Sequence, residues 1–241
     1  LGRPQDGVEP AEEAIRLLQD IAPGNPLALR QLALAHLNLG LCYMGVGRGQ
    51  DSVNPTKEAK RIFEELVRTN RSLLPWFANA QMNLGAIYCE LGRPQDGLGL
   101  VSDAVETFAQ LSLSQNSLRF KLAMAHVNLG ACLARLDRAD EAAHDIEQTI
   151  PLLLEFAPTT PAAIPWLGFS LMNLAVCYRR LKKEEEVHDA WAAVVSALPP
   201  PLDRALLMFL RERVRRPTDM AVVADLLDAL PEVGSDDPQH H

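Results

Sequence analysis

Apolar residues along this chain recur at the three- and four-residue steps of an α-helix, not at the alternation of a strand. From about Leu27 to Val46, Leu32, Leu39 and Tyr43 share one side of a helix, and the run stops at Gly47. A second helical run follows and ends near Arg68, as later ones end near Leu113 and Phe156. Glycine suits the left-handed residue that terminates a helix, and Gly47 and Gly92 both stand at such ends. Pro94 can then take the first position of the next helix, with Gln95 and Asp96 close to its positive end. The breaks APGNP, LSQNS and APTTP close successive helix pairs.

Written in rows of 45, the chain aligns without gaps. LGRPQDG at Leu1 falls on VGRGQDS at Val46, LGRPQDG at Leu91, LDRADEA at Leu136 and LKKEEEV at Leu181. Ala14, Ala59 and Ala104 share one column, and Tyr43, Tyr88 and Tyr178 another. Alternate rows resemble each other more than neighbours do, as PWFANAQMNL from Pro75 and PWLGFSLMNL from Pro165 show. That pattern implies duplication of a two-row unit. Two antiparallel helices per row cannot bury their faces alone, so the rows must stack. The fold class predicted is all-α, an α-solenoid of about eleven helices. Residues 1–198 form the array, 199–231 the capping helices, and 232–241 a disordered tail ending in the tag-like His240 and His241.

Within that scheme Pro151 falls mid-helix, where proline costs about 3 kcal/mol unless a kink absorbs it, so a bend is expected there. Beyond PPP at Pro199 the repeat is lost, but Leu202 to Arg215 and Thr218 to Leu230 still read as helices on either side of Pro217. Leu206, Leu210, Leu226 and Leu227 can cover the exposed end of the stack.

Composition agrees with this architecture: 48% of residues are hydrophobic and 5% aromatic, which makes a core of Leu, Ala and Val. The net charge of −8 and pI near 5.3 oppose a phosphate-tracking role, so nucleic acid is excluded as a main partner. No run reaches the ~18 apolar residues of a membrane span. The opening LGRPQDG has no basic and apolar leader and no initiator Met, so the chain reads as a piece of a longer protein. Cys42, Cys132 and Cys177 occupy one column, and helices ~10 Å apart would hold them beyond the ~7 Å bridging limit. The four cysteines, Cys89 included, therefore argue against disulfides and for a reducing, cytoplasmic home.

The rows resemble the tetratricopeptide repeat. Leu39-Gly40, Tyr43, Gly47 and Ala59 in one row, and Leu84-Gly85, Tyr88, Gly92 and Ala104 in the next, match that family's helical hairpin. The match spans roughly residues 1–198. The period of 45 is longer than the family's usual one and is similar to kinesin-light-chain-like repeats and several bacterial regulator arrays. The family's early Trp is replaced by His36, Gln81, His126 and Leu171. Small Gly40, Gly85 and Gly130 suit close helix approach. The resemblance implies a protein-interaction scaffold whose concave surface is lined by the first helix of each row. The co-chaperone clamp for a C-terminal carboxylate is absent, since its columns hold Leu37, Met82, Val127 and Met172, and Leu41, Ala86, Ala131 and Val176.

One column asks for explanation. Asn38, Asn83, Asn128 and Asn173 recur every 45 residues, in AHLNLG, AQMNLG, AHVNLG and SLMNLA. Asn within a helix costs about 0.5 kcal/mol relative to Ala, and an unpaired buried amide about 1–3 kcal/mol more. The shared face carries Leu34, Asn79, Met124 and Phe169 one turn earlier, and Leu41, Ala86, Ala131 and Val176 beyond. Gln31, Trp76, Lys121 and Trp166 precede them, with Arg135 and Arg180 at the far end. Such a mixed, variable face fits a groove better than a core. A carboxamide matches a peptide unit as donor and acceptor, so the four asparagines would grip a partner's main chain. Leu41, Met124, Phe169, Trp76 and Trp166 would meet its side chains. The family's long-repeat members are similar in using such asparagines. The alternative is that each Asn bonds within the stack and fixes one first helix on the next.

Other signals count for less. His36 and His126 lie about 20 Å apart by helix spacing, too far to share a zinc with ligands at ~2 Å. GVGRGQ from Gly45 falls in a hairpin turn, without the strand a phosphate loop requires. KEAKRIFEEL from Lys57 and KKEEE from Lys182 read as solvated helix faces. Arg135, Arg179 and Arg180 could receive an acidic patch, ordinary surface charge being the alternative. No nucleophile stands with a base, so no catalytic residue, metal ligand or cofactor is predicted. The expectation is a non-enzymatic module that binds a peptide or protein segment. A regulatory array of a larger signalling protein and a homo-oligomeric scaffold joined through the exposed end are the alternatives, with a hydrophobic small ligand left open.

Overall fold

The computed structural model describes residues 4–214, and every regular element among them is helical. The first of two compact units closes at Asp137. It holds α1 (Val8–Ile21), α2 (Pro26–Gly45), α3 (Gly49–Thr69), α4 (Leu74–Glu90), α5 (Pro94–Ser112) and α6 (Arg119–Arg135). The second begins at Arg138 and holds α7 (Ala139–Phe156), α8 (Ala163–Arg180), α9 (Glu184–Ala197) and α10 (Leu202–Val214). Inside each unit, sequence neighbours are spatial neighbours. The pairs α2–α3, α4–α5 and α8–α9 form hairpins, while α1 on α2, α3 on α4, α5 on α6 and α7 on α8 join one row to the next. These are stacked helical hairpins, as the repeat requires. The predicted helix from Thr218, with Leu226 and Leu227, and the tail with His240 and His241 lie outside the described residues.

The turns repeat in chemistry as well as in position. Gly47 and Gly92 take positive φ of 77° and 73°, and in the same column Asp137 and Lys182 take 60° and 58°. The next residue returns its amide to the Tyr carbonyl five residues back: Arg48 to Tyr43 at 2.8 Å, Arg93 to Tyr88 at 2.8 Å, Lys183 to Tyr178 at 2.9 Å. This closes the last helical turn. Arg48, Arg93 and Arg138 each reach forward three residues, to Asp51, Asp96 and Glu141, at 2.7 Å.

Close approach between helices follows from small residues. Ala59 and Ala104 are fully buried beside Phe63 and Phe108. A Cβ on Gly85 would lie 2.5 Å from Val101 Cγ2 and 2.8 Å from the Gly97 carbonyl oxygen, so α4 and α5 meet nearly backbone to backbone. In the second unit Leu206 and Leu210 are buried and α10 packs on α8. Pro151 stands inside α7 without ending it, and Pro55 does the same in α3. Each ring deprives the carbonyl four residues back of its helical donor. Pro151 and Glu147 are both exposed, so solvent can serve that carbonyl.

The cysteines correct the sequence expectation. Cys89 and Cys132 are joined in a disulfide, with Cα atoms 5.6 Å apart, while Cys42 and Cys177 are free. Comparison within the column of Cys42, Cys132 and Cys177 missed the pair because Cys89 lies two residues farther along its helix. Its offset to Cys132 is 43, two short of the repeat. Cysteine placement therefore no longer argues for a reducing compartment.

Candidate functional site

On α4 the positions open to solvent are few. Trp76, Asn79, Asn83, Ala86 and Glu90 are exposed or half-buried, whereas Ala78, Met82, Leu84, Gly85, Ile87 and Cys89 are buried. Steps of three and four residues place the open positions on one helix face. On α6 the same stripe is Lys121, Met124, Asn128, Ala131 and Arg135, and on α2 it is Gln31, Leu34, Asn38 and Leu41. Leu39 and Tyr43 point the other way and are buried. In the second unit Trp166, Phe169, Asn173, Val176 and Arg180 follow this pattern on α8.

Asn38 is exposed, and Asn83, Asn128 and Asn173 are half-buried. None of the four amides bonds to another described residue, and none has an atom sealed from solvent without a partner. Asn79 differs, since its Oδ1 accepts a hydrogen bond from Lys121 Nζ at 3.2 Å. Lys121 is half-buried, and that burial holds its pKa below the ordinary lysine range. The tie between α4 and α6 has no signature in the repeat columns, because its offset of 42 is one helical turn short of a row.

The apolar members of the stripe are partly committed to the fold. Trp76, 37% exposed, stacks on Phe63 with ring centres 6.3 Å apart, and the Arg30 guanidinium lies 5.8 Å from its ring centre. Met124 packs against the cluster of Met82 and Phe108. Trp166 meets Phe169 edge-on at 6.0 Å, and Phe169 meets Phe209 of α10 at 5.3 Å. Phe169 is thus engaged by α10. Leu34, Asn38 and Leu41 line a cleft of about 540 Å³ against Ala11 and Ala14 of α1. Arg135 is exposed and donates to the Ala131 carbonyl of its own helix at 3.2 Å. It belongs to the first unit, and exposed Arg179 and Arg180 to the second.

A cleft of about 740 Å³ between α1 and α3, floored by α2, had no signal in the repeat columns. Glu12, His36, Leu39, Lys57, Glu58 and Arg61 line it. His36 Nδ1 is buried without a hydrogen-bond partner, and burial pulls the imidazole pKa below its ordinary value despite the opposing charge of Glu58. In the next row Gln81 takes this column and donates to Asp103 of α5 at 3.2 Å. Among the described residues no group of three or more His, Cys, Asp or Glu is placed to hold a metal. No helix among them is long and apolar enough to cross a membrane.

The arrangement has counterparts among solved structures. A kinesin-light-chain-like protein of Podosopora anserina, with nearly identical TPR-like repeats, superposes with TM-score 0.54 at 20% identity, covering 82% of this chain and 96% of its own. A second structure of that description gives TM-score 0.51 at 20% identity, covering 88% and 92%. The chain has a tetratricopeptide-repeat-like fold. No protein-family model and no curated protein matches it in sequence. In this TPR-like fold the four asparagines are among the exposed and half-buried positions of the first helices.

Proposed function

We propose that this chain is a non-enzymatic protein-interaction module that holds an extended peptide segment along the open stripe of its first helices. The carrying observation is the set of amides on Asn38, Asn83 and Asn128, reached by solvent and bonded to no described residue, on helices whose other sides are buried. Asn lowers helix stability by about 0.5 kcal/mol at each position relative to Ala, and no hydrogen bond among the described residues offsets that. First helices ~8–10 Å apart and a peptide rise of ~3.3 Å per residue match about three peptide residues to each rung. Trp76, Leu41 and Met124 flank the rungs and meet partner side chains. Asn173, Trp166 and Arg180 repeat the scheme on α8.

The test uses a displayed library of random linear peptides selected on the whole chain, then Asn128→Leu. The variant is expected to melt within about 0.5 kcal/mol of the parent and to bind selected peptides at least about tenfold more weakly, ~1.4 kcal/mol. A large drop in stability with binding intact would sink the reading and support the packing role instead.

A second reading is self-association through α1 and the start of α2, where Leu17, Ile21 and Leu27 are 55%, 59% and 75% exposed. Grouped apolar exposure of this kind marks contact surfaces. A particle size independent of concentration would exclude it.

A further inference from the structure

We propose that Cys89 and Cys132 form a reversible dithiol–disulfide site that sets the spacing of α4 and α6, with a low-molecular-weight disulfide such as oxidised glutathione as its oxidant. The pairing is specific to one step of the array. It needs a sulfur in the column of Met44 and another, one row on, in the column of Cys42. In register, Met44 with Ile87 and Ala134 with Cys177 offer at most one thiol, and only Cys89 with Cys132 offers two. Their Cα separation of 5.6 Å falls inside the bridging range.

The site lies close to the proposed rungs. Cys132 is one turn beyond Asn128 on α6, and Cys89 is six residues beyond Asn83 on α4. At the other end of the same helix pair the tie is the hydrogen bond from Lys121 to Asn79. One end is therefore covalent and the other soft. On reduction the sulfurs must part from a bond of about 2 Å to a van der Waals contact of roughly 3.5–4 Å, and the helix spacing between Asn83 and Asn128 relaxes with them.

Both sulfurs are buried, Cys89 at 2% and Cys132 at 0% exposure, against Val101, Leu98 and Leu129. A Cβ on Gly97 would come within 3.0 Å of Cys89 Sγ, so the backbone of α5 closes over the site. Exchange therefore requires local opening of α4 from α6. Once open, one thiolate attacks the external disulfide and releases a thiolate, leaving a mixed disulfide. The second cysteine's thiolate then attacks the protein sulfur of that mixed disulfide and expels the other half. The protein loses two S–H bonds and gains one S–S bond, and the reagent leaves as two thiols carrying both electrons and both protons. Cys177 contrasts with this pair: it is buried, its thiol is pushed up to about 11 by burial, and it has no sulfur partner.

The test uses the whole chain equilibrated with dithiothreitol or with oxidised glutathione. Alkylation in denaturant is expected to count four thiols in the first and two, Cys42 and Cys177, in the second. Backbone amides of α4 and α6 should exchange about tenfold faster in the reduced form, with those of α8 and α10 unchanged. The consequence for binding rests on the peptide reading above. Selected peptides should differ about fivefold or more in affinity between the two forms, and Cys132→Ala should remove the difference while Cys42→Ser keeps it. Four thiols persisting in oxidised glutathione, or a disulfide that leaves exchange in α4 and α6 unaltered, overturns the proposal. If no peptide is selected yet thiol count and exchange shift as stated, the peptide reading falls and the redox coupling stands.

Discussion

Tyr43 donates its phenolic hydroxyl to Glu12 at 2.6 Å, spanning 31 residues from α2 back to α1. The same offset joins Tyr178 of α8 to Glu147 of α7. Between them, Lys57 of α3 lies 5.7 Å from the centre of the Tyr88 ring on α4, again 31 residues apart. The fourth member of the tyrosine column is Leu133, which has no hydroxyl. The seam between rows is thus one geometric link made by two chemistries. A carboxylate takes the hydroxyl, and an ammonium takes the ring face.

Tyr43→Phe removes a hydrogen bond to a carboxylate that stays solvated, so a loss of about 1 kcal/mol is expected. Tyr88→Phe, with no such bond, should cost much less. The Glu12 bond, as the main cause, raises the Tyr43 pKa above its ordinary value. A raised folded pKa gives stability that is complete below the unfolded value of about 10 and lost as pH rises through the folded one. Denaturant titrations of parent and Tyr43→Phe should therefore differ at pH 7 and converge at strongly alkaline pH.

The left-handed column makes a separate claim about backbone energy. Lys182 holds φ of 58° where Gly47 and Gly92 hold 77° and 73°. No atom lies within 4 Å of a Cβ built on either glycine, so any cost of a side chain there is conformational. Lys182→Gly should stabilise by about 0.5–1 kcal/mol, and Gly92→Ala should destabilise by a similar amount. Chemical denaturation of the two variants measures both signs.

His36 supplies the acid-side prediction. Burial lowers its folded pKa, so the neutral ring is the form the fold favours. Its stability contribution is complete above the unfolded value of about 6.5 and is lost as pH falls through the lower, folded value. The parent should lose stability as pH falls below about 6.5, and His36→Gln should flatten that slope. Equal slopes in melts of the two proteins would refute this account.

The solvent exposure of the candidate positions is legible in residues alone. Helical spacing puts Asn38, Asn83 and Asn128 with Leu34, Asn79 and Met124 on one face, and on α2, α4 and α6 these residues are exposed or half-buried. Local periodicity suffices for this, because the buried and open faces of a stacked helix follow its own sequence. Phe169 falls on the same face by spacing, and Phe209 of α10 packs against its ring. That contact joins two segments with no shared repeat column, so no periodic signal announced it. The cleft around His36 was likewise invisible, since its lining comes from three helices whose side chains differ from row to row.

Helix limits, turn positions, the 45-residue stacking and the side of each first helix that stays open were determined by sequence, because each depends on residues within a turn or two of one another. Tertiary structure alone decided which sulfurs pair, which hydroxyl finds which carboxylate and how Lys121 reaches Asn79. These contacts occur at offsets of 43, 31 and 42 rather than 45. The angle and distance at which neighbouring helices cross set those offsets, and a repeat written in straight columns carries no record of the crossing.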